Sequence, residues 1–281
     1  MTKIAILVCL LMFPTLSVQA SGLKPYEMPR TEVVQIQESG TDRQYELYIK
    51  LPEGYVQNTD ASYPVIYTTD AVVHMDMLSG ATEFLMPEAI LVGISYQTNH
   101  EDERGNISRF RDYTTTEHSD PEIQARFQPG QASNHLSFIR DEIIPYIEEN
   151  YRANPSERTY FGYSLGGAFG AYILISKPDS FKNYILGSPA LNDRSAQYID
   201  ELEAQTALAQ QNLNARVFVS LGEKEVDAKE RVDDLISVLE RRNGSRVSLT
   251  GLQIIEDSDH ATAFPETVIR SVRWLVQLNS E

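Results

Sequence analysis

Glu32 to Ile36 and Gln44 to Leu51 alternate polar with apolar residues across a Gly40-Thr41-Asp42 turn, the period-two pattern of two antiparallel, half-exposed strands. The next apolar runs have a different texture. Pro64-Val65-Ile66-Tyr67-Thr68-Thr69 and Ala89-Ile90-Leu91-Val92-Gly93-Ile94 are short and nearly unbroken, as expected of strands buried on both faces of a parallel sheet. Leu136, Ile139, Ile143 and Ile147 then share one helical face, with Ser133 or Asn134 available as N-cap and a kink predicted at Pro145. Arg158 to Phe161, Tyr184 to Leu186 and Arg216 to Leu221 read as further strands, interleaved with a small-residue helix, Gly167 to Ile175, and a polar one from about Ala196 to Leu213. A helix with Val232, Leu235, Ile236 and Leu239 on one face ends at Asn243-Gly244, and the strand Val247 to Ile255 and the helix Glu266 to Leu278 complete the chain. This alternation predicts an α/β fold, a mainly parallel central sheet with N-terminal antiparallel strands and helices on both faces.

One stretch, Tyr96 to Gln131, has no period and carries His100, Arg104, Arg109, Arg111 and His118. Loops of that length are commonly functional. Since the strand before it should end on the same sheet edge as the strand at Phe161, the stretch is expected to form the wall or lid of a substrate pocket.

The first twenty residues carry a single charge, Lys3, followed by an unbroken apolar run from Ile4 to Phe13 and a small-residue cleavage site at Val18-Gln19-Ala20. This pattern predicts a signal peptide cleaved after Ala20, hence an exported protein, periplasmic or secreted. No later run is long and apolar enough for stable membrane insertion. The one cysteine, Cys9, lies inside the signal, so the mature chain is expected to have neither disulfides nor thiolate chemistry. Residues 21–281 contain no linker-like run and are expected to form a single domain. A formal net charge of −16, spread along the chain, argues against nucleic acid as a partner.

Phe161-Gly162-Tyr163-Ser164-Leu165-Gly166-Gly167 sets a Gly-x-Ser-x-Gly pattern between the predicted strand and the small-residue helix. That context is a nucleophile elbow, in which the serine occupies a tight strand-to-helix turn and small flanking residues let the backbone fold. A serine needs a base, and the base an orienting acid. In this architecture they follow in the order Ser, acid, His, and of five histidines only His260 comes after Ser164. The acid is expected on the loop after Leu221, which offers Glu223, Glu225 and Asp227. With Asp227-Ala228-Lys229-Glu230 resembling a capping box, Asp227 is assigned to the helix start, Glu225 is preferred and Glu223 held in reserve. Asp257 and Asp259 beside His260 are further possible orienters. The oxyanion would be held by the backbone N–H of Leu165 and by a second N–H near Ala71.

These residues resemble the putative-esterase (esterase D-like) family of α/β-hydrolases over nearly the whole mature chain. The likeness rests on Tyr63-Pro64-Val65-Ile66-Tyr67 with Asp70, Val92-Gly93-Ile94, Arg109-Phe110-Arg111-Asp112-Tyr113-Thr114, Ile139 to Pro145, the elbow, and Gly187-Ser188-Pro189. Within the family the chain looks most like exported siderophore esterases, whose acid-bearing loop resembles Gly222-Glu223-Lys224-Glu225. The sequence departs from the family pattern at Ala71, where Gly is usual, and at Ala261, where Gly or Ser is commoner. The resemblance implies an α/β-hydrolase fold and a serine carboxylic esterase acting on a small-molecule ester, with a siderophore trilactone as the most specific substrate and Arg109 and Arg111 as contacts to catecholate oxygens. Acyl transfer on the same triad and a non-catalytic binding protein on the same fold stay open as alternatives. No cofactor is expected: no two histidines have metal-ligand spacing on one element, and the mature chain has no cysteine.

Overall fold

The computed structural model describes residues 26–100, 105–206, 215–241 and 247–278. The expected signal segment, Cys9 and Arg104 lie outside these residues, as do the predicted helix end at Asn243-Gly244 and the tail of the polar helix beyond Thr206.

The amphipathic pair at the start forms the predicted hairpin. β1 (Thr31–Gln37) runs antiparallel to β2 (Gln44–Lys50), with Thr31 opposite Lys50 and Gln37 opposite Gln44. The apolar runs become β3 (Tyr63–Thr68), β4 (Ile90–Ile94), β5 (Ala153–Tyr163), β6 (Asn183–Gly187), β7 (Ala215–Gly222) and β8 (Val247–Ile255). All eight strands among the described residues join one sheet in the order β1-β2-β4-β3-β5-β6-β7-β8. The pairs β1/β2 and β2/β4 are antiparallel and every other pair is parallel.

Alternate side chains of the central strands point into two cores, which is why those strands read as unbroken apolar runs. Tyr160, Tyr184, Leu186, Val217 and Val219 pack on one face with α4 (Ala132–Phe138), α6 (Leu165–Ser176) and α8 (Val226–Arg241). Phe161, Ile185 and Phe218 pack on the other with α1 (Ala71–Leu85) and α9 (Ala263–Leu278). The polar helix is α7 (Asp193–Thr206), which buries only Ile199 and Glu203.

Three local expectations are corrected. The Tyr96 to Gln131 stretch is not a plain loop but holds α2 (Asn106–Tyr113) and α3 (Pro121–Phe127). Its helical period is masked because α2 buries a mostly polar face, Ser108, Arg111, Asp112 and Tyr113, while α3 buries nothing. The signal that was present is chemical: Asp120 caps α3 by accepting from Glu122 N and Ile123 N, with Pro121 at the first helical position. α4 begins one turn earlier than Asn134 allows, after Gln131 and without a side-chain cap. At Pro145, where a kink is expected, the ladder changes: a π turn over Ile139–Ile143, in which Ile144 N–H reaches Ile139 O, leads into α5 (Ile144–Asn150) with the backbone right-handed helical throughout, so the break in the i→i−4 pattern falls directly before the proline. Finally, α8 begins at Val226, which makes Asp227 a first-turn residue rather than its cap.

Candidate active site

The carboxyl ends of β3, β5, β6 and β7 lie side by side, and each delivers one part of a site. Ser164 follows β5 with φ 58° and ψ −122°, outside the ordinary regions for a residue with a side chain. The surroundings hold it there: Ser164 N donates to Gly187 O at 2.9 Å, and Ser164 O accepts from Ala168 N and Ala190 N at 3.0 and 2.9 Å. The turn is so tight that a Cβ on Gly162 would fall 2.2 Å from Gly166 O, so only glycine fits. Tyr160 reinforces it by donating its hydroxyl to Gly166 O at 2.8 Å.

β7 ends in the loop that offered three acids, and the structure gives each a different partner. Glu225 Oε2 lies 2.6 Å from His260 Nδ1, while its Oε1 accepts from Ser188 Oγ at 2.6 Å and from Gly222 N at 2.9 Å. Glu223 instead accepts from Asp257 N at 2.8 Å, bracing the turn that precedes His260. Asp227 heads α8, and its carbonyl accepts from Arg231. Asp259 does not face the imidazole: its carboxylate accepts from Ala261 N, Thr262 N and Thr262 Oγ1, and the Thr262 bonds hold it below the usual carboxylate range. Those bonds shape the turn from which α9 starts, with Ala263 N donating to Asp259 O at 2.9 Å.

His260 is half-exposed while its partner Glu225 is almost buried, so the ring faces the open side of the site from a sheltered carboxylate. Tyr163 anchors the histidine backbone by donating its hydroxyl to His260 O at 2.7 Å. Burial pushes that hydroxyl up to about 12, which keeps it a donor at neutral pH. No hydrogen bond joins Ser164 Oγ to His260 Nε2 among the described residues; such bonds often close only when substrate is present.

Two helix N-termini converge beside Ser164. Leu165 opens α6 and Ala71 opens α1, so both backbone N–H groups belong to first turns without intrahelical acceptors, at the positive ends of the helix dipoles. Their closeness is visible at Gly166, where an added Cβ would lie 2.6 Å from Thr69 Oγ1 and 3.1 Å from Asp70 Oδ2. Ala71 follows Asp70, which caps α1 from a left-handed conformation (φ 56°, ψ 39°) and accepts Val73 N and His74 N on its carbonyl.

The two arginines read as substrate contacts part company. Arg109 reaches Asp70, Nε to Oδ1 at 2.7 Å and Nη2 to Oδ2 at 3.2 Å, and its side chain is one-quarter exposed at the site. Arg111 turns away from Asp70 toward Asp112. It is buried, and four of its five N–H donors go to Asp112, Gln97 Oε1 and Tyr45 Oη. Neighbours in an α-helix point about 100° apart, so alternate arginines on α2 face opposite ways.

A cavity of about 540 Å³ opens beside the elbow. Leu165, Ala168 and Ala190 form its inner side, Phe110, Tyr113, Ile123 and Phe127 from the Tyr96 to Gln131 stretch form its outer side, and Asn192 and Arg194 stand in its wall. Arg194 also donates to Glu117 O at 2.7 Å, tying α7 to that outer side. Ser188 is the supporting residue that sequence reasoning passed over. It was visible only as part of Gly187-Ser188-Pro189 at the end of a strand; its contact with Glu225 crosses from β6 to the loop after β7.

Comparison with known proteins supplies the family. The chain is 29% identical over 267 residues to the ferri-bacillibactin esterase BesA of Bacillus subtilis, covering 89% of this chain and 90% of that protein. Its fold is similar to that of the BES protein from Bacillus cereus, with TM-score 0.76, 23% identity and coverage of 92% and 98%. It is also similar to an IroE-like serine hydrolase from Shewanella oneidensis, with TM-score 0.74, 21% identity and coverage of 88% and 80%. With the profile of the putative esterase family matching residues 39–260, the chain belongs to that family of α/β-hydrolases and is a carboxylic ester hydrolase.

Proposed function

We propose that the chain is an exported, single-domain serine esterase in which Ser164, His260 and Glu225 form the catalytic triad. The observation that carries this reading is the 2.6 Å contact between Glu225 Oε2 and His260 Nδ1 on the sheet edge that bears the elbow serine. With Glu225 accepting the Nδ1 proton, Nε2 is left as the base. It takes the Ser164 proton as Oγ bonds to the ester carbonyl carbon, and the carbonyl oxygen becomes an oxyanion facing the Leu165 and Ala71 N–H groups. The imidazolium then protonates the leaving alkoxide as the ester C–O bond breaks, giving an acyl-enzyme and a free alcohol. Water attacks the acyl-enzyme with His260 again as base, releasing the carboxylic acid and restoring Ser164.

For the substrate we favour a siderophore trilactone. The supporting observations are a relative named for a ferric siderophore and a cavity whose outer side is aromatic, suited to a flat ring next to the reacting carbonyl. The test compares purified protein with its Ser164→Ala variant on p-nitrophenyl acetate, butyrate and octanoate, a feruloyl ester, and a ferric trilactone. Serine-dependent turnover of the trilactone far above the simple esters is expected. Full hydrolysis by Ser164→Ala would remove the mechanism, and turnover of short esters alone would remove the substrate.

A further inference from the structure

Asp70 places a buried carboxylate where the proposed reaction builds negative charge. Its side chain is 2% exposed, its Oδ2 lies against the first turn of α6 at Gly166, and it directly precedes Ala71. An unopposed anion there would repel an oxyanion held between the Leu165 and Ala71 N–H groups, because charges in a water-poor site are weakly screened.

Arg109 answers that charge with a two-point contact, Nε to Oδ1 and Nη2 to Oδ2, the fork geometry a guanidinium shares with a carboxylate. The same contact restrains Asp70 in its left-handed conformation, which is uncommon for a residue with a side chain and sets the direction in which α1 begins. Two tyrosines complete the enclosure. Tyr113 Oη accepts from Asp70 N at 3.4 Å. The Tyr96 hydroxyl is held above the ordinary tyrosine range by burial and then by the Asp70 carboxylate, which places it close to the pair.

We propose that Arg109 is a positioning residue for the oxyanion hole: it neutralises Asp70 and pins the turn that aims the Ala71 N–H. This assignment rests on the serine-esterase reading above, and it replaces direct substrate binding as the main role of Arg109. Two of its donors are committed to Asp70, and the rest of the side chain is mostly covered.

The test uses p-nitrophenyl butyrate, a neutral ester with no carboxylate, phosphate or catecholate for an arginine to pair with, and the variants Arg109→Gln, Arg109→Lys, Asp70→Asn with Arg109→Gln, and Ser164→Ala. Arg109→Gln should lower kcat by about tenfold to a hundredfold, less than the roughly 10²–10³-fold cost of losing an oxyanion donor outright because the Ala71 N–H is misaimed and not removed, with KM within about threefold of the parent. Adding Asp70→Asn removes the stranded charge and should recover a large part of that kcat. A parental kcat in Arg109→Gln, a loss confined to KM, or a double variant no better than the single would each overturn the proposal. If circular dichroism shows Arg109→Gln unfolded, Arg109→Lys carries the test: a fall in kcat alone supports the role, and a rise in KM alone or no change overturns it. Ser164→Ala keeps the two readings apart. Residual full activity there removes the serine mechanism itself, whereas an inactive Ser164→Ala beside an unaffected Arg109→Gln removes only the role of Arg109.

Discussion

Replacing Glu225 by Gln alters one atom of the site, and the neighbours of that atom set the consequence. Oε1 receives two donors, Ser188 Oγ at 2.6 Å and Gly222 N–H at 2.9 Å, so an amide oxygen satisfies that end and an NH2 there would face two donors. The new NH2 is therefore turned toward His260 Nδ1, the place Oε2 holds at 2.6 Å. A donor opposite Nδ1 makes Nδ1 the acceptor and moves the ring proton to Nε2, the nitrogen that takes the Ser164 proton in the proposed mechanism. The variant also lacks the carboxylate that offsets the imidazolium. In serine proteases the equivalent change costs roughly 10⁴-fold in kcat. Here the imidazole is half-exposed, so solvent screens part of the lost ion pair. We expect a fall of about 10³-fold in kcat, or about 4 kcal/mol at about 1.4 kcal/mol per factor of ten. The assay is steady-state hydrolysis of p-nitrophenyl butyrate by Glu225→Gln, Glu223→Gln and Asp227→Asn. Glu223→Gln keeps an oxygen for Asp257 N and should stay within about threefold of the parent, as should Asp227→Asn, whose carboxylate only favours the start of α8. Glu225→Gln within about tenfold of the parent, or either other variant falling as far, would refute the reasoning.

Gly166→Ala forces its methyl to within 2.6 Å of Thr69 Oγ1, which is itself bonded to Tyr160 Oη at 3.2 Å, so the loop before α1 must retreat from α6. Activity should drop by about 10²-fold as the two N–H groups separate, whereas the exposed, uncrowded Gly80→Ala in α1 should gain roughly 0.5–1 kcal/mol in urea unfolding and keep full activity. Stability should also fall in mild acid. His135 and His74 are buried, burial holds both below the ordinary 6.5, and neither ring nitrogen of His135 has a hydrogen-bond partner. The unfolded chain therefore takes up protons that the folded one refuses: this contribution is complete above 6.5 and is lost as pH drops toward and through the lowered folded values, at up to about 1.4 kcal/mol per unit per histidine. Urea unfolding between pH 7.5 and 5 measures the slope, and a His135→Leu variant with an unchanged slope would contradict this origin.

How much of the site could be read in advance varies from residue to residue. Ser164 announces itself because a tight turn needs Gly162 and Gly166 within two residues, a local requirement written into adjacent positions. Chain order alone points to His260. Three acids on one loop were equivalent as sequence, since which of them meets His260 depends on where the turn after β8 comes to rest. Arg109 and Arg111 were equivalent too, being two residues apart in the same motif; one faces the site and the other a buried pair with Asp112.

By itself the sequence determined the alternation of strands and helices, the mostly parallel sheet and the elbow, because burial on both faces and a strand-to-helix turn leave signals in neighbouring residues. Only the tertiary structure decided that Glu225 is the acid beside His260, that Ser188 supports it, that α2 and α3 wall a cavity next to Leu165, and that Arg109 covers the Asp70 charge. Each of these joins residues tens of positions apart through one or two hydrogen bonds or a shared surface. Such contacts depend on how strands register and loops settle across the sheet edge, and no periodicity along the chain records them.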